Sequence, residues 1–282
     1  MKKVDKRLKT FLSILLVLAV AVFIARVFWP KPPARIQSSV KTALQKKKKP
    51  PIAIKKTQVP AKVVPRMAII LDDWGMSVSL VDDAVAVGRP LTLSVLPHLA
   101  HSRDVAEAAH AQKLGVMLHM PMQAKSLKAP REPRTIRVAS SDEEILDYLD
   151  QALANVPYVE GVNNHQGSAA TSDARVMHTV LRHLKRKDLF FVDSRVIATS
   201  ICAKEAEDVG IEFTTRDVFI DNVATVPAIK KQLREAIRLA LKRGTAVAIG
   251  HDKKVTIEVI QQMVPEIEKS GVKIVFVKEL LQ

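Results

Sequence analysis

Residues 67–75 read Met67-Ala68-Ile69-Ile70-Leu71-Asp72-Asp73-Trp74-Gly75. Five apolar residues run unbroken and then give way to two carboxylates. A short continuous apolar run, rather than an alternating one, is the pattern of a strand buried on both faces, and such strands belong to parallel sheets covered by helices. Adjacent acids at the end of a buried strand repel each other unless a cation separates their roles. The pair therefore points to a metal or an imidazolium nearby.

Seven more apolar runs follow, at 91–96, 116–118, 159–162, 189–192, 218–220, 246–249 and 272–277. Amphipathic helical stretches lie between them, near 77–87, 102–114, 141–154, 172–186, 202–208, 226–243 and 255–269. Ser140 or Ser141 with Glu143 or Glu144 makes a capping box. Gly88, Gly115, Gly210, Gly244 and Gly271 stand between a helix and the next strand, where a left-handed residue is expected. Strand–helix alternation repeated about seven times implies an α/β fold with a parallel sheet. Its length favours a closed or nearly closed barrel over an open sheet.

Polar residues recur where the apolar runs end. His98 and His101 follow the second run, and His119 ends the third. Asn163-Asn164-His165-Gln166-Gly167-Ser168 follows the fourth and reads as a polar loop. Asp193-Ser194-Arg195 ends the fifth, Asp221-Asn222 the sixth and Gly250-His251-Asp252 the seventh. In parallel barrels these ends meet at one face, where sites are built. His110, His178 and His183 fall on helices and read as structural.

The chain has 282 residues and a net charge of +15. Residues 1–65 hold 16 of the 44 Lys/Arg and one acid, Asp5, so they carry all of the net charge. Residues 66–282 are neutral, with 28 bases and 28 acids. A basic domain surface, the footprint of nucleic-acid binding, is absent. The single cysteine, Cys202, excludes an intramolecular disulfide and a cysteine-based metal cluster.

Residues 1–10 form a basic tail, and residues 11–29 are almost wholly apolar. As a helix the apolar run would span roughly 28 Å, close to the hydrocarbon thickness of a bilayer. The expectation is a transmembrane anchor with its N-terminus in the cytoplasm and the remaining chain outside, in the periplasm or beyond the cell. The rival is a signal peptide cut after Ala19-Val20-Ala21, which lies inside the apolar run. Residues 30–65 hold seven prolines, ten bases and no acid or glycine, the composition of an extended, disordered linker. Residues 66–282 form the domain.

Six motifs of that domain resemble the divergent polysaccharide deacetylases. They are Ala68-Ile69-Ile70-Leu71-Asp72-Asp73-Trp74-Gly75, Leu118-His119-Met120-Pro121-Met122, Gly161-Val162-Asn163-Asn164-His165-Gln166-Gly167-Ser168, Phe190-Phe191-Val192-Asp193-Ser194-Arg195, Val218-Phe219-Ile220-Asp221-Asn222 and Ala248-Ile249-Gly250-His251. Together they cover essentially all of 66–282. The resemblance implies a NodB-like irregular (β/α)7 barrel of parallel strands and metal-dependent hydrolysis of N-acetyl groups on an envelope polysaccharide. It implies Asp72 as general base, Asp73 and His119 as ligands of one divalent transition metal, zinc the first choice, and His251 as general acid with Asp193 orienting it. Asn164 and Arg195 are expected to meet substrate. The family's second histidine, four residues after the first, is replaced here by Gln123. His165 is the first choice for the missing ligand and His101 the reserve. The same departure keeps open a catalytically inactive glycan-binding or scaffold domain on the same barrel.

Overall fold

The computed structural model describes residues 64–281 except 130, 131 and 133. The expected anchor at 11–29 and nearly all of the expected linker lie outside the described residues. Among the described residues no helix is long and apolar enough to cross a membrane.

Nine parallel strands alternate with seven α-helices among the described residues. The strands are β1 (Arg66–Trp74), β2 (Thr92–Val95), β3 (Gly115–Met122), β4 (Gly161–Gln166), β5 (Phe190–Asp193), β6 (Phe213–Thr215), β7 (Val218–Phe219), β8 (Thr245–His251) and β9 (Lys273–Val275). The helices are α1 (Val81–Ala86), α2 (Ser102–Ala111), α3 (Asp142–Asn155), α4 (Ala174–Arg186), α5 (Cys202–Val209), α6 (Val226–Arg243) and α7 (Lys254–Lys269).

The ladder runs β6-β5-β4-β3-β2-β1-β8-β7. Its two ends are consecutive in sequence: β6 pairs with β5, and two residues later β7 pairs with β8. Between them Arg216 N–H donates to Asp193 O and Asp217 N–H to Val247 O. One extended segment thus spans the gap between β5 and β8, and the sheet curls without a β6–β7 ladder. The sequence showed only the second half of that segment, because Phe213-Thr214-Thr215 is half-buried and lacks an apolar run.

The two faces of the sheet hold separate clusters. Met67, Ile69, Leu71, Val116, Leu118, Phe191, Ala246 and Ala248 face outward, where the apolar sides of the helices cover them. Their alternates Ala68, Ile70, Met117, Phe190, Val192, Val247 and Ile249 fill the interior. Gly161 is needed inside: a Cβ there would lie 2.2 Å from the Phe190 ring.

Two expectations about local structure are corrected. β4 runs through Gln166 and β3 through Met122, so residues 163–166 of the stretch read as a polar loop are strand, and only Gly167 and Ser168 lie beyond it. Ladder hydrogen bonds with β3 override its polarity. The capping box forms between Ser141 and Glu144, and left-handed glycines stand at 88, 210, 244 and 271. Gly115 has no positive φ. Lys113 takes the left-handed turn instead, and Gly115 opens β3 where a Cβ would meet Thr92 Oγ1 at 2.8 Å.

Candidate metal centre

Side chains alternate across a strand, so the inward set can be followed up each strand to its C-terminal end. On β1 the set Ala68, Ile70 continues to Asp72. On β3, Met117 continues to His119. On β4, Gly161 continues to Asn163 and His165. On β8, Val247 and Ile249 continue to His251. The lower interior is apolar and the upper interior polar, at one end of the same face.

Asp73 breaks this alternation. Leu71 pairs with Leu93 and Trp74 with Val95, so β1 has one more residue than β2 between the two pairs. Asp72 and Asp73 together oppose Ser94. This is a β-bulge, with Asp73 at φ +69°. A bulge re-aims side chains, and here it turns two successive carboxylates to the interior. A non-glycine residue at positive φ costs some strain, which the surrounding structure must hold.

The donor atoms converge. His119 Nε2 lies 3.2 Å from Asp73 Oδ1. His165 Nδ1 lies 3.1 Å from the same oxygen and 3.1 Å from His119 Nε2. These three atoms form a nearly equilateral triangle. A tetrahedral zinc with bonds of about 2.0–2.1 Å holds its donors roughly 3.3 Å apart, so the triangle has the size of one tetrahedral face. Asp73, His119 and His165 also supply the carboxylate and imidazole donors that suit such an ion. The residues present fit a divalent transition metal.

Asn163 organises the floor. Its Oδ1 accepts from Ser94 Oγ at 2.6 Å and from His119 Nδ1 at 2.8 Å. Its Nδ2 donates to Asp72 Oδ1 at 2.8 Å and to Ser194 Oγ at 3.3 Å. With Nδ1 of His119 committed to a carbonyl oxygen, Nε2 is left to offer its lone pair, the usual outer support of a metal-bound imidazole. Asn163 shares an inward face with His165, two residues on; that spacing was the signal that could have found it.

The two carboxylates are driven apart electrostatically. Burial pushes Asp72 up, and His119 and Asn163 offset this only in part, so its pKa stays raised. Burial also acts to raise Asp73, but hydrogen bonds from His119 and His165 outweigh it and hold Asp73 well below the usual carboxylate range. Burial works against a proton on His119, yet Asp72 and Asp73 push it up to about 9. Paired titratable groups with opposed shifts mark acid–base assignments.

His251 stands across the centre, its Nε2 4.0 Å from Asp73 Oδ2. Its Nδ1 lies 2.7 Å from Asp221 Oδ1, and its backbone N–H donates to Asp221 Oδ2 at 3.0 Å. Burial disfavours the imidazolium, but Asp221 outweighs burial and the pKa is raised. Phe219 stacks on the ring at 6.0 Å, and the Arg216 guanidinium lies 3.7 Å above Phe219.

The structure thus brings together Asp72, Asp73, His119, His165 and His251. It does not bring Asp193 to His251. Phe190 and Val192 point inward, so Asp193 points outward by the same alternation; its oxygens accept from Arg195 N–H at 2.7 Å and Ser200 Oγ at 2.6 Å. The carboxylate that holds the His251 ring is that of Asp221. Asn164 also faces outward, donating to Gln166 O and accepting from Ser194 N–H. Arg195 is exposed on the rim, and among the described residues its guanidinium makes no hydrogen bond or ion pair. His101 lies outside the cluster, paired with Asp104 at 2.9 Å. Gln123 turns away from the centre: its Oε1 accepts from Val138 N–H at 2.8 Å. A cavity of about 140 Å³ opens beside His165, with Glu132 and Arg137 among its walls.

The family model described as divergent polysaccharide deacetylase matches residues 69–281. The uncharacterized protein YibQ of Escherichia coli (strain K12) is 36% identical over 199 residues, which cover 71% of this chain and 62% of that protein. The match therefore spans less than two thirds of that relative. An uncharacterized Haemophilus influenzae protein is 34% identical over 198 residues, 70% of each chain. The solved structure of an uncharacterized protein from Agrobacterium tumefaciens C58 superposes with a TM-score of 0.73 at 21% identity, covering 78% of this chain and 90% of that one. The last likeness shows a shared fold, and the first two with the family match show descent: the chain belongs to the divergent polysaccharide deacetylase family.

Proposed function

We propose that this protein is a metal-dependent deacetylase that removes N-acetyl groups from a polysaccharide of the cell envelope. The observation that carries the reading is the donor triangle of Asp73, His119 and His165, flanked by a buried carboxylate and an imidazole. Asp73, His119 and His165 would hold the metal, zinc being the first choice. Such an ion supplies a Lewis acid for the acetamide carbonyl and acidifies water.

The chain's own groups then divide the proton work. Asp72 is held at Oδ1 by Asn163, which leaves Oδ2 toward the centre. Its raised pKa makes it a better base than an exposed aspartate, and it takes the proton from the hydrolytic water as the water oxygen bonds to the acetyl carbon. His251 keeps Nδ1 on Asp221 and turns Nε2 inward. Its raised pKa favours the imidazolium, whose Nε2–H passes to the departing amine nitrogen as the C–N bond breaks. The products are acetate and a free amino sugar.

The apolar run at 11–29 and the Lys/Pro-rich stretch at 30–65 suit a membrane tether that places the domain in the periplasm. Protease added to spheroplasts should then cut the domain while the N-terminal tail stays protected. The activity is tested by acetate release from N-acetylated glycan fragments with zinc-loaded full chain. Release that stops with Asp72→Asn, with zinc still bound, is the expected result. A chain that binds glycan but neither binds zinc nor releases acetate would instead be a non-catalytic binding domain.

A further inference from the structure

We propose that Glu132 is a positioning residue of this metal centre: its carboxylate takes the Nε2–H of His165 and so commits that histidine to binding through Nδ1. The inference rests on the metal-site reading above. The two histidines present opposite nitrogens to the triangle, His119 through Nε2 and His165 through Nδ1. A neutral imidazole that gives one lone pair to a metal carries its proton on the other nitrogen, and that N–H needs an acceptor. His119 has one in Asn163. For His165 the outer nitrogen is Nε2, which lies 3.5 Å from Glu132 Oε1, at ion-pair distance; the Gln166 side-chain amide, 3.4 Å from the same nitrogen, accepts that N–H only when it turns its oxygen there. A carboxylate can only accept there.

Glu132 is also held in reach by the residue that departs from the family pattern. Gln123 binds the strip 134–138 alongside β3 by two bonds. Its N–H donates to Ile136 O at 2.9 Å, and its Oε1 accepts from Val138 N–H at 2.8 Å. Met122 bridges to Ile136, and Tyr148 Oη donates to Arg134 O at 2.8 Å. Glu132 lies just before this strip, half-buried on the cavity wall. Among the described residues no Lys or Arg lies within 4 Å of its carboxylate. The position where the family pattern has a second histidine therefore supplies an amide. That amide fixes the loop whose carboxylate backs the substitute ligand, His165.

The test is zinc affinity, measured on the full chain in detergent by competition with a chromophoric chelator. Loss of an outer-shell partner costs roughly 10–100-fold in affinity. Glu132→Leu, which removes the acceptor, should weaken zinc by that factor. Lys128→Gln, an exposed change on the same loop, should leave the affinity unchanged. Nitrogen NMR of the zinc-loaded wild type should show His165 protonated at Nε2. Equal zinc affinity in wild type and Glu132→Leu overturns the role of Glu132 and leaves the metal reading standing. The same follows from equal losses in both loop variants, or from zinc on His165 Nε2. A wild-type chain that binds no zinc overturns both.

Discussion

Along β3 the outward residues are Val116, Leu118, Met120 and Met122, while the inward ones are Met117, His119 and Pro121. The outer face stays apolar to the end of the strand, and the inner face changes from apolar to polar part-way up. β1 and β8 follow the same rule. The outer layer joins sheet to helices through large, fully buried side chains and holds most of the apolar core. The inner layer is a small apolar plug below a polar floor. Chemistry and stability are thus separated by one residue along each strand, because period-two alternation sends neighbours to opposite faces.

That separation can be broken by experiment. The largest effect should come from Asp72→Asn. Removing a general base typically costs 10²–10⁴-fold in rate, with bound zinc and melting temperature nearly unchanged. Phe191→Ala, on the outer face, should do the reverse. Truncating a fully buried phenylalanine costs about 3–5 kcal/mol of stability, read by denaturant unfolding, with zinc affinity retained while the protein is folded. Loss of zinc binding in Phe191→Ala, measured where it remains folded, would show that the layers are coupled.

A smaller, pH-dependent effect belongs to the inner layer alone. His119 and His251 titrate higher in the folded metal-free protein than in the unfolded chain. The stability they confer is complete below about pH 6.5. It is lost as pH rises through the raised values, about 9 for His119. Melting temperature of the metal-free protein should therefore fall from pH 6.5 to 9. Zinc stabilisation should grow over the same range, because metal binding needs neutral imidazoles. The smallest effect is Ser141→Ala, which removes the α3 capping box for about 1 kcal/mol and should leave zinc affinity untouched.

Much of this was legible in the sequence. Continuous apolar runs located the strands, and Asp72, Asp73, His119, His165 and His251 stood out where those runs end. What sequence obscured was facing. Asp193 looked like a partner for His251, but it follows Val192 and must point the other way. Asp221 was visible as a strand-end acid with nothing in the sequence to pair it with His251, which lies 30 residues away. Asp73 reaches the interior only through a bulge and a positive φ, and neither has a signature in Leu71-Asp72-Asp73-Trp74. Asn163 was masked by the apparent loop character of its neighbours. It becomes interpretable once β4 is seen to pair with β3 through Gln166.

β1 enters the domain at the pole opposite the candidate metal centre, with Arg66 at its start. Seven residue pairs join it to β8, from Arg66–Thr245 to Asp72–His251, and three join it to β9. Lys273 N–H also donates to Pro65 O. A pull on the chain ahead of Arg66 acts along these parallel ladders and loads their hydrogen bonds in shear, many at once, rather than peeling them one by one. A domain hung by this end would resist mechanical extraction, and the mouth of its candidate site would open away from the point of suspension.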